Sequence, residues 1–148
     1  MKKFFKIFLL FGFIFLLIIG QSFGSSQGKI KGGKRMEIKS SAFVHGGMMP
    51  AKYAYDKENI SPPLVFSNIP SGTKSLALIC DDPDAPVGNW VHWVIYNIPA
   101  DTKELKEGIP PKKELQNGAK QGINDYRQIG YGGPCPPSGT HRYIFKLY

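Results

Sequence analysis

One stretch decides the fold: LALICDDPDAPVGNWVHWVIYNI, which runs from Leu76 to Ile98. Its start, Leu76 to Cys80, is a continuous apolar run, typical of a short strand buried on both faces. Its end, Asn89 to Ile98, divides its side chains between two faces, because strand side chains alternate. The two sets are Trp90, His92, Val94 and Tyr96, and Val91, Trp93 and Ile95. Both faces are mostly apolar, so we predict a central strand.

Ionisable side chains lie where predicted strands meet rigid loops. The strand predicted over Leu76–Cys80 runs into Asp82-Pro83-Asp84-Ala85-Pro86, where the prolines fix the backbone and keep the preceding residues extended. Near the end of the chain, Gly139-Thr140-His141-Arg142 leads into a last strand, predicted from His141 to Tyr148. With His92, these motifs supply two carboxylates and two imidazoles, the groups that a small polar binding site needs.

The rest of the chain favours strands and turns. Residues 36–45 and Leu64–Phe66 are predicted to form two further strands. The polar stretch 101–117 contains two adjacent prolines, which exclude a long helix. Residues 118–139 form a long loop rich in glycine and proline, and such loops in compact domains are usually functional or disordered. The 148 residues therefore predict one mainly β domain, built as a sandwich.

The N-terminus predicts export. Residues 1–24 begin with three lysines, continue with an apolar run over 7–19 and end in small residues, which is the pattern of a cleaved secretory signal peptide. An uncleaved membrane anchor formed by residues 7–19 is the alternative, although that run is shorter than the roughly 20 residues of a comfortable span. Residues 25–35 then form a basic, glycine-rich linker.

The positive charge is concentrated in this linker. Without the signal peptide, 16 basic residues stand against 11 acidic ones, a net charge of +5. Much of the excess lies in Lys29, Lys31, Lys34 and Arg35, which have no apolar period around them. We interpret them as a solvated tail and predict no nucleic-acid partner, because such binding needs basic residues organised on a folded face.

The two cysteines do not indicate a metal site. Cys80 lies in the apolar strand and Cys135 in a proline-rich loop. Export permits a disulfide, but sequence cannot supply their separation, so free and bridged states both stay open. HxH, HExxH and CxxC spacings are absent, which disfavours a metal or other cofactor. No GxSxG elbow is present either, which disfavours a serine hydrolase.

Three side chains are the candidate donors of an anion site. His92 and His141 can each present a ring nitrogen, and Tyr143 a hydroxyl. Asp82 can accept a hydrogen bond from one imidazole, which would fix its tautomer and favour its protonated form. A phosphate or carboxylate would then sit against the imidazolium.

The neighbouring residues have competing interpretations. The backbone N–H groups of Gly132 and Gly133 can form an anion-binding nest. Asp84 can either hold the ammonium group of a ligand or accept backbone N–H groups in a turn. Arg142 lies on the face opposite His141, so we expect a structural ion pair there.

Six motifs in order carry a family resemblance: Ser61-Pro62-Pro63-Leu64, Asp82-Pro83-Asp84-Ala85-Pro86, Trp90-Val91-His92-Trp93, Asn97-Ile98-Pro99, Gly130-Tyr131-Gly132-Gly133-Pro134 and Gly139-Thr140-His141-Arg142-Tyr143. With them, residues 36–148 resemble the phosphatidylethanolamine-binding protein family, also called Raf-kinase-inhibitor-like proteins, and look closest to its bacterial and archaeal branch. The resemblance implies a mainly β domain over 36–148, a sandwich of two antiparallel sheets in a Greek-key arrangement.

The resemblance also implies a site. Its pocket would be lined by Asp82, His92, His141 and Tyr143, with the loop around Gly133 and Pro134 as a wall. Family pockets take phosphate, phosphoethanolamine head groups or similar anions, and members act by binding lipid head groups, kinases or serine proteases. Bacterial relatives are often dimeric, which implies a homodimer. Family domains usually continue past the strand that contains Tyr143, so we expect this chain to lack a C-terminal segment.

These observations lead to three hypotheses. The first is an exported, non-enzymatic protein that binds a small phosphoryl or carboxylate ligand. The second is a protein-interaction module that inhibits a protease or another exported enzyme and uses loop 118–139 as its contact. A hydrolase or metal enzyme is the least favoured of the three.

Overall fold

The computed structural model describes residues 35–148. The predicted signal peptide 1–24, its alternative as an anchor over 7–19, and all but the last residue of the linker 25–35 lie outside the described residues. Within the described range, no helix is both long enough and apolar enough to cross a membrane.

The described residues form two antiparallel sheets. The seven strands are β1 (Glu37–Lys39), β2 (Leu64–Ser67), β3 (Ser75–Asp82), β4 (Trp90–Pro99), β5 (Glu104–Leu105), β6 (Lys120–Gln121) and β7 (Ile144–Leu147), with one 3-10 turn at Ala51–Tyr53. The smaller sheet has the order β1-β2-β5 and the larger one β6-β4-β3-β7. The prediction of a mainly β, two-sheet fold is confirmed.

The larger sheet is organised by the pairing of β3 with β4. The pairing runs from Ser75 opposite Pro99 to Asp82 opposite Trp90 and is shifted at two places. At the first shift Asn97 adopts a left-handed backbone, with φ of 54°. Because this bulge breaks the alternation, both Ile95 and Ile98 point into the core, where each is fully buried. The central position predicted for β4 is confirmed, and its strict alternation is not.

Two of the other predicted strands are shorter than expected, whereas the strand predicted over Leu64–Phe66 extends to Ser67. Strand 36–45 ends at Lys39, because the Ser40 hydroxyl donates to the Pro63 carbonyl and accepts from the Ala42 N–H instead of continuing the ladder. The last strand begins at Ile144 rather than His141. Loop 118–139 contains the short strand β6.

The core lies between the sheets and is built from apolar residues of both. Its most buried members are Leu64, Phe66, Leu76, Leu78, Cys80, Trp93, Ile95, Ile98, Leu105 and Ala119. β7 lies at the edge of the larger sheet. The expected C-terminal segment beyond Tyr148 stays a prediction.

One buried amide fastens the loop before β6 to the core. The Gln121 side chain accepts a hydrogen bond from Trp93 Nε1 at 2.8 Å, and it donates to the carbonyls of Pro110 at 2.8 Å and Lys112 at 2.9 Å. Gln121 is only 2% exposed, so water cannot replace any of these partners.

We therefore expect Gln121→Leu to lower the free energy of unfolding by about 3 kcal/mol, because it leaves one buried donor and two carbonyls without a partner. Urea unfolding followed by tryptophan fluorescence measures this. Gln116→Leu, at an exposed position, is the matched control and should change stability by less than about 0.5 kcal/mol. Equal stabilities for the two variants would contradict the role given to Gln121.

Candidate functional site

A small pocket opens where β3 runs into the proline motif and β4 begins. Its volume is about 180 Å³. Ionisable and aromatic side chains line one part of it, and proline-rich loops line the rest: Asp82, Trp90, His92, Tyr126, His141 and Tyr143, then Ala85, Pro86, Val87, Cys135, Pro136 and Pro137. The four side chains predicted from sequence, Asp82, His92, His141 and Tyr143, thus meet in one cavity.

His92 reaches the pocket because of a bulge in β4. Cys80 pairs with Trp93 and Asp81 pairs with Val91, which leaves His92 as the extra residue between them. A bulge re-aims its side chain. His92 and Trp93 are therefore both buried, although neighbours on a regular strand would face opposite ways.

Two hydrogen bonds join His92 to Gly132, one through the backbone and one through the ring. The Gly132 N–H donates to the His92 carbonyl at 2.9 Å, and His92 Nδ1 lies 2.7 Å from the Gly132 carbonyl oxygen. The ring also makes edge contacts with Tyr126 and Tyr143, at centroid distances of 5.6 and 5.1 Å. Burial lowers the pKa of His92 below the ordinary 6.5, because the charged ring loses its solvation.

His141 is paired with the buried carboxylate. His141 Nδ1 lies 2.7 Å from Asp82 Oδ2, and the two side chains are only 10% and 5% exposed. Asp82 Oδ1 accepts the backbone N–H of Asp84 at 2.8 Å. Both carboxylate oxygens are thus engaged, and the His141 ring is oriented by a charged acceptor, as predicted for one of the two imidazoles.

Two donors in the pocket wall lack partners. Trp90 Nε1 and the Tyr143 hydroxyl are buried and make no hydrogen bond within the described part of the chain. Unpaired buried donors are rare in folded proteins because each costs free energy. Burial also raises the pKa of Tyr143, so its hydroxyl stays protonated and able to donate. A ligand with acceptor oxygens would satisfy both groups.

The predicted glycine nest is wrong. The N–H of Gly132 is used by the His92 carbonyl, and the N–H of Gly133 donates to Asn59 Oδ1 at 2.7 Å. Glycine is needed at Gly133 for a steric reason, because a Cβ there would lie 2.0 Å from the Tyr53 carbonyl oxygen. Pro134 does not line the pocket.

Residues 135–137 form the wall that had been assigned to Gly133 and Pro134. The Pro134 carbonyl instead accepts the backbone N–H of Tyr55 at 2.9 Å. The segment from Gly132 to Pro134 therefore supports the pocket from behind, through its backbone.

Asp84 is not among the residues that line the pocket, and its carboxylate is engaged by Arg142. Its carboxylate accepts from the Arg142 guanidinium at 2.7 and 2.8 Å and from the Arg142 backbone N–H at 2.9 Å. The hydrogen bonds from the Arg142 side chain lower the pKa of Asp84 to about 2. The expected structural ion pair of Arg142 is present, and the turn that was assigned to Asp84 is instead closed by Asp82.

Two aromatic residues that line the pocket carried signals that the sequence argument did not use. Trp90 shares the predicted face of His92. Tyr126 lies in the long loop, stacks on Tyr55 with centroids 4.1 Å apart and meets Trp90 edge-on at 5.4 Å. Burial raises the pKa of Tyr126 to about 12, and its hydroxyl donates to the Gly133 carbonyl.

Both cysteines are free. Cys80 is buried in the core, whereas Cys135 is exposed and lines the pocket. Within residues 35–148, no group of three or more histidine, cysteine, aspartate or glutamate side chains could hold a metal ion.

Gly133→Ala should strongly destabilise the fold, by about 3 kcal/mol or more, because backbone atoms stand where the new methyl group would lie. Thermal unfolding measures the loss. Gly47→Ala is the matched control and should cost less, since its methyl group would lie 2.8 Å from the exposed Val44 side chain and 3.1 Å from the Val44 carbonyl oxygen, instead of 2.0 Å from a carbonyl oxygen. A Gly133→Ala protein as stable as Gly47→Ala would contradict the close approach.

The His92 ring should be neutral near pH 7, with its proton on Nδ1. A ¹H–¹⁵N NMR titration should give a midpoint below 6.5. Because the unfolded chain binds this proton more readily, the stability contributed by the neutral ring is present above about pH 6.5 and is lost as the pH falls towards the lower folded-state pKa. A midpoint above 6.5 would contradict the dominant effect of burial on this ring, and a proton on Nε2 would contradict the hydrogen bond to Gly132.

Comparisons with known proteins agree with the geometry. The family model "Phosphatidylethanolamine-binding protein" matches residues 39–148. The chain is 55% identical over 113 residues to a UPF0098 protein of Methanothermobacter thermautotrophicus, covering 76% of this chain and 75% of that one. It is 50% identical over 119 residues to a UPF0098 protein of Aquifex aeolicus, covering 79% and 69%.

Two crystal structures share the fold. A protein of Chlamydia trachomatis, described as a phosphatidylethanolamine-binding protein homologue, superposes with a TM-score of 0.68 at 43% identity, over 76% of this chain and 73% of that one. E. coli YbcL, described as a member of the mammalian family, superposes with a TM-score of 0.69 at 35% identity, over 76% and 75%. This chain belongs to the phosphatidylethanolamine-binding protein family.

Proposed function

We propose that this protein is an exported, non-enzymatic binding protein whose pocket takes a small phosphoryl or carboxylate ligand, such as a phosphoethanolamine head group. The observation that carries the proposal is the pair of unpartnered donors, Trp90 Nε1 and the Tyr143 hydroxyl, in the wall of a cavity that also contains two imidazoles. A ligand with several acceptor oxygens gives both donors the partners that the protein does not provide.

The size of the pocket limits the ligand. A cavity of about 180 Å³ is smaller than the roughly 300–1,000 Å³ of sites for drug-sized molecules. It suits a single head group, with any longer chain left outside. The wall formed by Ala85, Pro86 and Val87 on one side and residues 135–137 on the other is apolar or proline-rich, and it can cover the non-polar atoms next to the anionic group.

The hydrogen bonds within the site support binding rather than turnover. Asp82 and His141 are engaged with one another, and His92 is tied to the backbone of Gly132. A nucleophilic thiol would need a base within hydrogen-bond reach. Among the described residues, Cys135 makes no such bond to His92 or His141, although it lines the same cavity.

Export is part of the proposal and rests on the pattern of residues 1–24. It would bring the pocket into contact with membrane lipid head groups or their soluble fragments outside the cytoplasm. An uncleaved N-terminal segment would hold the same domain at the membrane surface.

A second function is supported by one surface feature. Val87 and Ile123 are 78% and 68% exposed, and they lie in a shallow groove beside the pocket with Asp125 and Arg127. Exposed apolar side chains rimmed by charges are typical of protein contacts. Inhibition of an exported enzyme through loop 118–139 would use this groove.

Tyr143→Phe tests the proposed ligand contact without removing the ring. Because the Tyr143 hydroxyl has no partner in the protein, its loss should leave the unfolding temperature unchanged or slightly raised. The affinity for phosphoethanolamine should fall roughly tenfold, since one hydrogen bond to a charged group is lost. Isothermal titration calorimetry on the full-length chain measures the affinity.

Tyr96→Phe, at an exposed position of β4, is the matched control and should bind as the parent chain does. Unchanged affinity in Tyr143→Phe would contradict the proposed contact. A folded parent chain that binds neither phosphoethanolamine nor phosphate would contradict the ligand-binding function and favour the protein-contact function.

A further inference from the structure

The two cysteines of the chain differ in accessibility. Cys80 is 1% exposed in the core, and burial raises the pKa of its thiol, so this thiol stays protonated and out of reach of reagents. Cys135 is free and exposed, and it lines the pocket. Since the sequence contains no third cysteine, Cys135 can form a disulfide only with another molecule as long as the fold is intact.

The backbone holds the Cys135 thiol in place from both sides. Pro134 precedes it, and the Pro134 carbonyl accepts the backbone N–H of Tyr55 at 2.9 Å. Pro136 follows it and restricts the Cys135 backbone to extended geometry. A group attached to a thiol that is fixed in a pocket wall lies in the cavity, whereas on a mobile loop it would remain in solvent.

Two unpartnered donors lie in the wall of the same pocket. Trp90 Nε1 and the Tyr143 hydroxyl are buried and make no hydrogen bond within residues 35–148. A carboxylate has two oxygens, which can accept one hydrogen from each of these groups. Hydrogen bonds to a charged acceptor are also stronger than those between neutral groups. A small molecule that is bonded to Cys135 through sulfur and carries a carboxylate would therefore be held at both ends.

We propose that Cys135 is a thiolation site, at which small disulfides that carry a carboxylate, such as cystine, form a mixed disulfide that fills the pocket. The Cys135 thiolate attacks one sulfur of the reagent. The S–S bond of the reagent breaks, and a new bond forms between Cys135 Sγ and that sulfur. The other half leaves as a thiolate and takes up the proton lost by Cys135. The cysteine is thus oxidised, and the reagent disulfide is the oxidant.

The pocket and the reaction both suit a reagent of this size. The cavity of about 180 Å³ is smaller than the roughly 300 Å³ of the smallest drug-sized sites, so an amino-acid-sized half fits and a tripeptide-sized half protrudes. The exchange needs no neighbouring base, because a few per cent of an ordinary cysteine is already thiolate near pH 7. Export, as proposed from residues 1–24, would place the thiol in an oxidising compartment where small disulfides persist.

The modification would regulate ligand binding. The attached half occupies the cavity and takes both donors, so that phosphoethanolamine no longer reaches them. Reduction of the mixed disulfide releases the half and opens the pocket again. This consequence rests on the proposed function, whereas the reaction at Cys135 does not.

The first test measures how fast the full-length chain is modified by L-cystine and by cystamine, which is the same disulfide without the carboxylates. Intact-mass spectrometry counts the added halves, and peptide mapping locates them. Each rate is divided by the rate at Cys135 in the urea-unfolded chain, which removes the intrinsic difference between the reagents. We expect one addition, at Cys135, and a normalised rate at least about fivefold higher for cystine.

Controls and variants decide the outcome. A normalised ratio near one would overturn the carboxylate contact. Equal addition to Cys80, or a dimer linked through Cys135 as the main product, would overturn the site. Tyr143→Phe keeps the thiol and the ring, and its normalised ratio should fall at least roughly twofold, so an unchanged ratio would also contradict the contact. Cys135→Ser is the matched control and should take up no half-cystine.

The second test titrates phosphoethanolamine into the cystine-treated chain by isothermal titration calorimetry. The affinity should be at least about tenfold lower than in the untreated chain and should return after reduction with dithiothreitol. Cystine treatment should not change the affinity of Cys135→Ser. Equal affinities of the treated and untreated parent chains would overturn the regulation. An untreated parent that binds neither phosphoethanolamine nor phosphate would overturn the proposed function, and the rate comparison would still decide whether Cys135 is thiolated.

Discussion

The bulge at His92 is the constraint on which the site depends. The pairing of β3 with β4 buries Cys80, Trp93 and Ile95 between the sheets. On a regular strand the side chain of His92 would point away from the face of Trp93, whereas in the structure both side chains are buried. The extra residue re-aims the ring, and Gly132 holds His92 there through one hydrogen bond to its backbone carbonyl and one to its ring. Since Gly132 lies in the loop after β6, the same contacts also fix the loop that walls the pocket.

A buried carboxylate stands at the centre of a site proposed for anions, and its hydrogen bonds explain how this is compatible with the fold. Asp82 is 3% exposed and would be costly to bury alone. The N–H groups of Asp84 and His141 solvate its two oxygens, and the second carboxylate of the motif is neutralised at the surface by Arg142. The two carboxylates of the proline motif therefore have different roles. Asp82 orients the His141 ring in the pocket, and Asp84 binds Arg142 at the surface.

Much of this could be predicted from sequence because the signals are local. The apolar run before Asp82 and the alternation around Trp93 directly indicate two paired, buried strands. The predictions that were wrong concern features that depend on residues distant in sequence. The bulges in β4 follow from its register against β3, and the N–H of Gly133 is taken by Asn59, 74 residues away. Considered alone, the loop sequence Gly132-Gly133 predicts an anion-binding nest. In the structure, the absence of a side chain at Gly133 instead allows this segment to pack closely against the backbone near Tyr53.

Among the described residues, two of the four buried side-chain atoms that lack a hydrogen-bond partner belong to residues that line the pocket. Gln121 and Asn124 are buried polar side chains elsewhere in the loop region, and both have their hydrogen bonds made by the protein. Trp90 Nε1 and the Tyr143 hydroxyl do not, although phenylalanine would fill either position without leaving a donor unpaired. Two such costs in the wall of one pocket are expected where a ligand completes the network, because real proteins accept local inconsistency mainly at functional sites. A ligand whose oxygens accept from both groups, as proposed above, would recover this cost on binding.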